Sequence, residues 1–424
     1  MPVMTLKYGD QAWPCPIPNP TVLTAKPPVR LPEPGAAIRA ALAAPLGTPT
    51  LAGIVAPGEQ VVIVTSDITR YTGSEHYLPL LVDELNRRGV RDDAITIVVG
   101  LGIHRRQTEK EHRKILGSLY GRIEVVDHDC DDPAQLVDLG STASGLPVEI
   151  NRRVVEADRV IVTGTVSLHY FAGFGGGRKG LVPGVASRGT CMATHFAIFN
   201  PPEVGGRQPK ARPAVLDGNP VHEAILAAAR MVAPDFLLNT VLTADKRIVE
   251  VFCGDLEQAH LAGCEVAREL YTVPVRQLAD LAIVSCGGHP KDINFIQAHK
   301  ALDYGVQAVR PGGTVILLAA CPDGFGNPTF FDWFRHQELG EFETALRARY
   351  EINGQTAHAT LAKARAWRVI LVSGFSSEQT ARMGMEKAAD LDQALWMAYE
   401  RLPADAEAVV IPDGGTVLPV FEKP

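Results

Sequence analysis

Residues 164–196 read GTVSLHYFAGFGGGRKGLVPGVASRGTCMATHF, and their start overlaps the run RVIVTGT at Arg159–Thr165. That run is apolar and rich in β-branched residues, so it predicts a buried strand, and the glycines begin where a strand of an α/β sheet would end. Open α/β sheets bind their ligands at that edge. Gly175, Gly176 and Gly177 can take backbone angles closed to other residues and bring N–H groups close to a ligand, while Arg178 and Lys179 add positive charge. An anionic guest is expected. A disordered surface loop would also be glycine-rich, but it gives no reason for His169, Lys179 and His195 to gather in one stretch.

The α/β pattern extends on both sides of this stretch. From Gln60 the chain reads as strand QVVIVT, helix His76–Arg88, strand AITIVVG, helix Thr108–Leu116 and strand IEVVDH. Downstream come a helix at Asn219–Met231 opened by Asn-Pro, strands FLLNTVLT and RIVEVF, and a helix at Leu256–Leu270. The pattern breaks at Tyr271–Val275. A fresh β–α–β unit follows, with LAIVS, a helix at Phe295–Val309 and GTVILLAAC, continued by RVILVS, a helix at Leu391–Arg401 and a strand at Ala408–Ile411. Two α/β domains with largely parallel sheets are therefore expected. The first spans 1–273 and carries the cofactor-binding and catalytic residues, the second spans 274–406, and the tail 407–424 returns to the first. At the N-terminus, Met4–Tyr8 and Trp13–Ile17 flank Gly9-Asp10 as a hairpin, before the proline-rich run from Asn19 to Gly35.

With 424 residues, 46% hydrophobic and 21% charged, the chain has material for packed cores in two or three domains. Its net charge is −7 and its basic residues are dispersed, which argues against a nucleic-acid partner. No basic segment followed by an apolar region opens the chain, and no run of about 18 apolar residues occurs, so a cytoplasmic protein with no membrane partner is expected. Seven cysteines without a C-x-x-C suggest neither a disulfide framework nor a zinc knuckle. Cys191 stands four residues before His195 and would share its helix face.

Polar residues recur at predicted strand ends. The first strand runs into Ser66-Asp67-Ile68-Thr69-Arg70 and the second into Gly102-Ile103-His104, so both ends should lie on one edge of a parallel sheet. Asp67 could orient a ribose hydroxyl or a ring, or simply cap the next helix; Arg70 could clamp a carboxylate with its guanidinium fork, or be a solvated loop charge. His104 alone reads as an ordinary surface histidine and gains weight from its company. His222 and His260 read as structural. In the second domain, Gln297 and Lys300 are three apart on one helix face near its N-terminus, where they could hold an anion or be ordinary solvated groups.

No Walker loop, H-E-x-x-H or G-x-S-x-G is present, which removes the usual support for phosphoryl transfer, zinc proteolysis and serine hydrolysis. His104 and His169 are candidates for proton transfer, and two such bases on opposite sides of one carbon suit a racemase. Lys179 is a candidate covalent tether. His195 is a candidate metal ligand with too few neighbours for a protein-only zinc site, so a metal here would need a non-protein ligand.

These residues resemble the lactate racemase family, which uses a nickel-pincer nucleotide, a nickel held by a thiolated pyridinium mononucleotide. The resemblance rests on SDITR with Asp67 and Arg70, GIHR with His104, the span from His169 through GGGRKG to His195, and PKDINFIQAHKALD with Gln297 and Lys300. It covers nearly the whole chain in the family's order and spacing. It implies that Lys179 tethers the cofactor as a thioamide, that His195 binds nickel, and that His104 and His169 are the two acid/base residues. Arg70, Gln297 and Lys300 would anchor substrate, Asp67 would lie beside the cofactor with Gly175–Gly177, and the site would occupy a cleft between the domains. The implied reaction is reversible hydride transfer from C2 of a 2-hydroxy acid, which racemises or epimerises that carbon without net oxidation.

Two departures bear on the substrate. Tyr71-Thr72-Gly73 follow Arg70 where lactate-active members tend to have proline, and QTAHATLAKA places His358 near an expected aromatic residue over the lactate methyl. These point to a larger or more polar 2-hydroxy acid, or a sugar acid epimerised at C2, with His358 as a substrate-binding residue. Two rival readings are an NAD-type oxidoreductase, which the α/β pattern favours but which lacks a G-x-G-x-x-G after a strand, and a non-catalytic protein that binds the nickel-pincer nucleotide. The partner expected in every case is a small molecule, with a homo-oligomer compatible with the sequence.

Overall fold

The computed structural model describes residues 4–17, 20–28, 31–403 and 405–422, and it divides into two compact α/β units. Asn19, Val29 and Arg30 of the expected proline-rich run lie outside the described residues.

The first unit, residues 27–269, is built on six strands: β1 (Val61–Ser66), β2 (Ile95–Gly100), β3 (Glu124–Asp127), β4 (Arg159–Val166), β5 (Phe236–Leu242) and β6 (Ile248–Gly254). Their order is β6-β5-β4-β1-β2-β3, with every neighbouring pair parallel except β5 and β6. Runs such as Val61–Val64 and Val160–Val162 are apolar without alternation because helices cover both faces of a parallel sheet. Helix α1 (Ser74–Arg87) shows how one face is covered. Tyr77, Leu78, Leu81, Val82 and Leu85 recur at helical spacing and all pack into a core with Ile63, Ile97 and Val99. Each such fully buried side chain contributes about 1.5–3 kcal/mol relative to exposure.

The strand order matters for function. From β1 the chain steps outward to β2 and β3, then returns to place β4 on the other side of β1. The carboxyl ends of β1 and β4 therefore flank the point where the direction of winding reverses, and a crevice opens there in sheets of this kind.

The second unit takes residues 1–26 and 270–424. Its sheet is β7 (Ala279–Ser285), β8 (Val309–Leu318), β9 (Arg368–Val372), β10 (Glu386–Ala388) and β11 (Ala408–Ile411), ordered β10-β9-β8-β7-β11, with Thr21–Val22 added beyond β11. All pairings are parallel. Thr5–Tyr8 and Gln11–Pro14 form a hairpin as expected around Gly9-Asp10, although its second strand starts before the expected Trp13–Ile17, and Leu6 joins this unit's core beside Ile283 and Ile316.

The domain limits expected from sequence differ from these units. The tail does not return to the first unit: β11 is hydrogen-bonded to β7, and Leu418–Phe421 pairs with Thr272–Val275. The N-terminal 26 residues likewise belong to the second unit rather than the first. Both segments are short β stretches that gain their hydrogen-bond partners only from that unit. No helix of the described residues is long and apolar enough to cross a membrane.

Candidate active site

In the first unit, β1 ends at Ser66 and the chain turns through a short 3-10 segment, Ile68–Arg70. Asp67 caps it. Its Oδ1 accepts from the Thr69 amide at 2.7 Å and the Thr69 hydroxyl at 2.5 Å, while its Oδ2 lies 2.9 Å from His104 Nδ1. Burial, at 3% exposure, would raise the Asp67 carboxyl, but the hydrogen bond from His104, the charges of His104 and Arg70, and Thr69 together hold it below its ordinary value. An ionised carboxylate can only accept, so the His104 proton sits on Nδ1 and Nε2 presents a lone pair. His104 follows β2 and is the exposed member of the pair, its side chain 38% accessible. Arg70 is exposed, with Nη1 3.2 Å from the Thr69 hydroxyl.

After β4, Leu168–His169 pairs with Gly173–Phe174 in a minimal hairpin. The Ala172 amide donates to His169 Nδ1 at 3.2 Å, so the neutral ring carries its proton on Nε2, opposite to His104. The ring stacks on Tyr170 and meets Phe171 edge-on. The triple glycine then crosses the sheet edge. Gly177 donates to Asn239 Oδ1 at 2.8 Å. Gly176 and Gly177 have φ of +72° and +53°, and a Cβ would come within 2.8 Å of Asn239 Oδ1 and 2.6 Å of the His260 ring respectively. Only glycine fits both the angle and the space.

Lys179 rides the 3-10 turn Gly177–Gly180 and is half-buried. Burial, followed by the charge of Arg178 and with a smaller contribution from Arg70, pushes its ammonium down to about 7. His195 lies on helix α2 (Arg188–Phe196), capped by Ser187. It is 4% exposed, and its Nδ1 donates to the Cys191 carbonyl one turn earlier at 2.8 Å, which leaves Nε2 with the lone pair. Burial and then the charge of Lys179 push its imidazolium down to about 3. A neutral imidazole with its far nitrogen fixed by a carbonyl is what a borderline-soft divalent metal requires. Cys191 shares that helix face as expected, with Sγ 4.0 Å from His195 Nδ1, and burial pushes its thiol up to about 12.

In the second unit, Gln297 and Lys300 lie on helix α3 (Phe295–Gly305), whose N-cap Asn294 accepts from the Gln297 amide. Lys300 Nζ donates to Gln297 Oε1 at 2.8 Å, so the two form one half-buried polar pair. His358 is half-buried on helix α4 (Ile352–Ala366), its ring edge-on to Phe342 at 5.2 Å.

Three side chains support the glycine stretch, of which sequence reasoning missed Asn239, took Arg178 only as positive charge for a ligand and read His260 as structural. Arg178 is 1% exposed, Asn239 is fully buried, and His260, read as structural, is 2% exposed with Nε2 2.9 Å from the Gly175 carbonyl. No local signal announces them, since Asn239 and His260 meet the loop only through the fold.

A family model described as the lactate racemase N-terminal domain matches residues 8–206, and one described as the lactate racemase C-terminal domain matches residues 275–419. A lactate racemase from Thermoanaerobacterium thermosaccharolyticum is 35% identical over 91% of this chain and 90% of its own length. One from Lactiplantibacillus plantarum is 35% identical over 87% of each. The structure of the lactate racemase apoprotein from T. thermosaccharolyticum superposes with a TM-score of 0.90 at 32% identity, covering 99% of this chain and 100% of that one. A crystal structure of a Thermotoga maritima protein, at 18% identity and a TM-score of 0.68 over 94% of this chain and 100% of that one, shares the fold.

Proposed function

This chain belongs to the lactate racemase family, an isomerase family, and we propose that it racemises or epimerises a 2-hydroxy acid at C2 using a nickel-pincer nucleotide tethered to Lys179. One observation carries the reading: His104 and His195 each commit Nδ1–H to a protein oxygen, Asp67 Oδ2 and the Cys191 carbonyl, and so present Nε2 as a lone pair. This supports a role in proton transfer for His104 and in metal binding for His195.

His195 would hold nickel through Nε2, the Lys179 amine would form the tether, and Gly175–Gly177 would run beside the nucleotide. When bound, that group supplies the acceptor and donor of the C2 hydride. The chain's own residues do the rest. His104 Nε2 takes the hydroxyl proton of one enantiomer, and Asp67 stabilises the imidazolium that results. His169 carries its proton on Nε2 while Nδ1 accepts from the Ala172 amide. To serve as acid on the other side it must release that amide and take a second proton on Nδ1, after which giving Nε2–H to the substrate oxygen leaves a neutral imidazole whose Nε2 can act in turn as base. Arg70 offers a fork for the carboxylate, and in the second unit Lys300 and Gln297 offer a further set of donors. The lactate racemases among the relatives make lactate the first acid to assay. His358 and Tyr71 motivate longer and more polar 2-hydroxy acids as the second set.

The test is intact-mass and nickel analysis of protein produced in a host that makes the cofactor, beside Lys179→Ala. A mass adduct and bound nickel, both lost in the variant, are expected, followed by racemisation of at least one 2-hydroxy acid. No adduct and no nickel from a verified cofactor-producing host would overturn the tether.

A further inference from the structure

The turn after β1 and the loop after β2 carry the two halves of the Asp67–His104 pair, and among the described residues two hydrogen bonds join them. One is the pair itself, His104 Nδ1 to Asp67 Oδ2. The other runs from the Ile68 amide to Gln107 Oε1 at 3.0 Å. The bonds from Thr69 to Asp67 Oδ1, and from the Arg70 amide to the Asp67 carbonyl, lie within the turn, so they shape it without fixing it to its neighbour.

Gln107 reaches Ile68 from a fixed point. Its own amide donates at 2.8 Å to Oδ2 of Asp127, the last residue of β3, and Asp127 Oδ1 lies 2.8 Å from His112 Nε2 on the helix Glu109–Leu116. Asp127 and His112 are 10% and 19% exposed, so this support is itself sheltered from water. The Ile68 amide is an open donor at the start of a 3-10 turn, and an N–H can only donate. It therefore requires the oxygen of the Gln107 carboxamide, and Nε2 turns to the Arg105 carbonyl at 3.4 Å. One half-buried glutamine thus ties together the ends of three neighbouring strands, β1, β2 and β3.

We propose that Gln107 is a positioning residue for the proposed base: by holding the Ile68 amide it keeps Asp67 Oδ2 opposite His104 Nδ1. The need follows from the role. A base alternates between imidazole and imidazolium, so its bond to Asp67 changes strength in every cycle, whereas the Gln107 bond does not depend on that proton. Without the glutamine, the pair alone would hold the loop to the turn. A neutral ring that slips from Asp67 can carry its proton on Nε2, where the substrate meets no lone pair.

The inference rests on the reading of His104 as the base, and the experiment separates that chemistry from the geometry. Gln107→Met removes the acceptor at similar length, and Gln107→Glu returns a side-chain oxygen. The first measurement is nitrogen NMR of cofactor-free, full-length protein carrying isotope-labelled histidine, with the His104 signals identified by their loss in His104→Gln. Spectra are recorded well above the ordinary imidazole value of about 6.5. In the wild type Nδ1 is expected to be the protonated nitrogen. In Gln107→Met both ring shifts should move towards the Nε2–H tautomer, and in Gln107→Glu they should move back. Unmoved shifts in folded Gln107→Met would overturn the proposal, because a merely structural glutamine would lower the melting temperature and leave the tautomer alone. If that variant does not fold, Gln107→Ala is read in the same way.

The second measurement uses nickel-loaded protein. Gln107→Met should lower kcat about tenfold and change KM less than about threefold, and Gln107→Glu should recover most of the loss. An unchanged kcat overturns the proposal where His104→Gln is inactive. Where His104→Gln keeps its activity, the reading of His104 as the base fails, and the proposal falls with it.

Discussion

Asp67→Asn should abolish most of the activity without unfolding the protein, and the geometry says why. Oδ1 accepts two hydrogen bonds from Thr69, one from its amide and one from its hydroxyl, so the substituted side chain must keep its oxygen on that side. The new NH2 is thereby forced into the position of Oδ2, 2.9 Å from His104 Nδ1. Two donors cannot face each other, so His104 moves its proton to Nε2 and offers the substrate no lone pair. The same exchange in a Ser-His-Asp triad lowers kcat about ten-thousandfold, and a loss of roughly a thousandfold to ten-thousandfold is expected here. KM should change little, since the proposed carboxylate anchors Arg70, Gln297 and Lys300 are untouched. Stability should fall by no more than about 1 kcal/mol, because the number of hydrogen bonds is conserved. The assay follows interconversion of the enantiomers by chiral chromatography on nickel-loaded protein, beside a thermal melt. A loss below tenfold in a folded, loaded variant would refute the assignment of His104 as the base oriented by Asp67.

Three further outcomes are expected. The unfolded chain holds the Lys179 proton up to a pH of about 10.4 while the folded chain releases it at about 7, so between these values the unfolded state binds more protons and stability rises with pH. Lys179→Met should accordingly stabilise cofactor-free protein by about 2 kcal/mol below pH 7, with the gain fading towards pH 10; the figure is under half the full shift because the side chain is partly solvated. A gain that does not depend on pH in denaturant melts would contradict the buried ammonium. Asp303→Asn removes the carboxylate 2.6 Å from Lys363, which is 11% exposed, and should cost about 3 kcal/mol in chemical denaturation. Gly177→Ala meets both a φ of +53° and the His260 ring, and should cost about 1–3 kcal/mol and reduce nickel retained per chain; wild-type melting and wild-type nickel together would rule out the close fit.

The strands were legible because parallel strands buried on both faces leave unbroken apolar runs, such as Val61–Val64 in β1 and Leu281–Val284 in β7. Candidate site residues were legible where they follow those runs, as Asp67 follows β1 and His169 follows β4. Asp67 admits a cap or a group that orients a ribose hydroxyl or a ring from sequence; it caps the turn at Thr69 with one oxygen, and the other meets His104, a partner that only the fold supplies. Unit membership was not legible. Thr21–Val22, β11 and Leu418–Phe421 are short, and their place is set by registers with strands far away in the chain. Arg178 was read as a cation offered to a ligand, and its burial was not legible for the same reason, since the Ala172 carbonyl and His260 are brought to it only by the fold; His260 was read as structural and is buried.

The glycine stretch shows how far composition alone can mislead about purpose. Composition groups its glycines as one ligand-approaching loop, yet several serve the approach of backbone to backbone. A Cβ on Gly184 would lie 2.0 Å from the Gly180 carbonyl oxygen, and one on Gly100, at the end of β2, would meet the Gly184 backbone at 3.2 Å. Gly102 donates to the Gly184 carbonyl at 2.9 Å. The loop that carries His104 is thus laid directly on the loop that carries Lys179, and the strand order makes this contact possible by placing β2 and β4 on either side of β1. Glycine at 100, 102 and 184 therefore sets the spacing between the His104 loop and the Lys179 loop, while Gly176 and Gly177 set the path of the loop over Asn239 and His260. A substitution at Gly184 would then disturb His104 and Lys179 together, although it touches neither side chain.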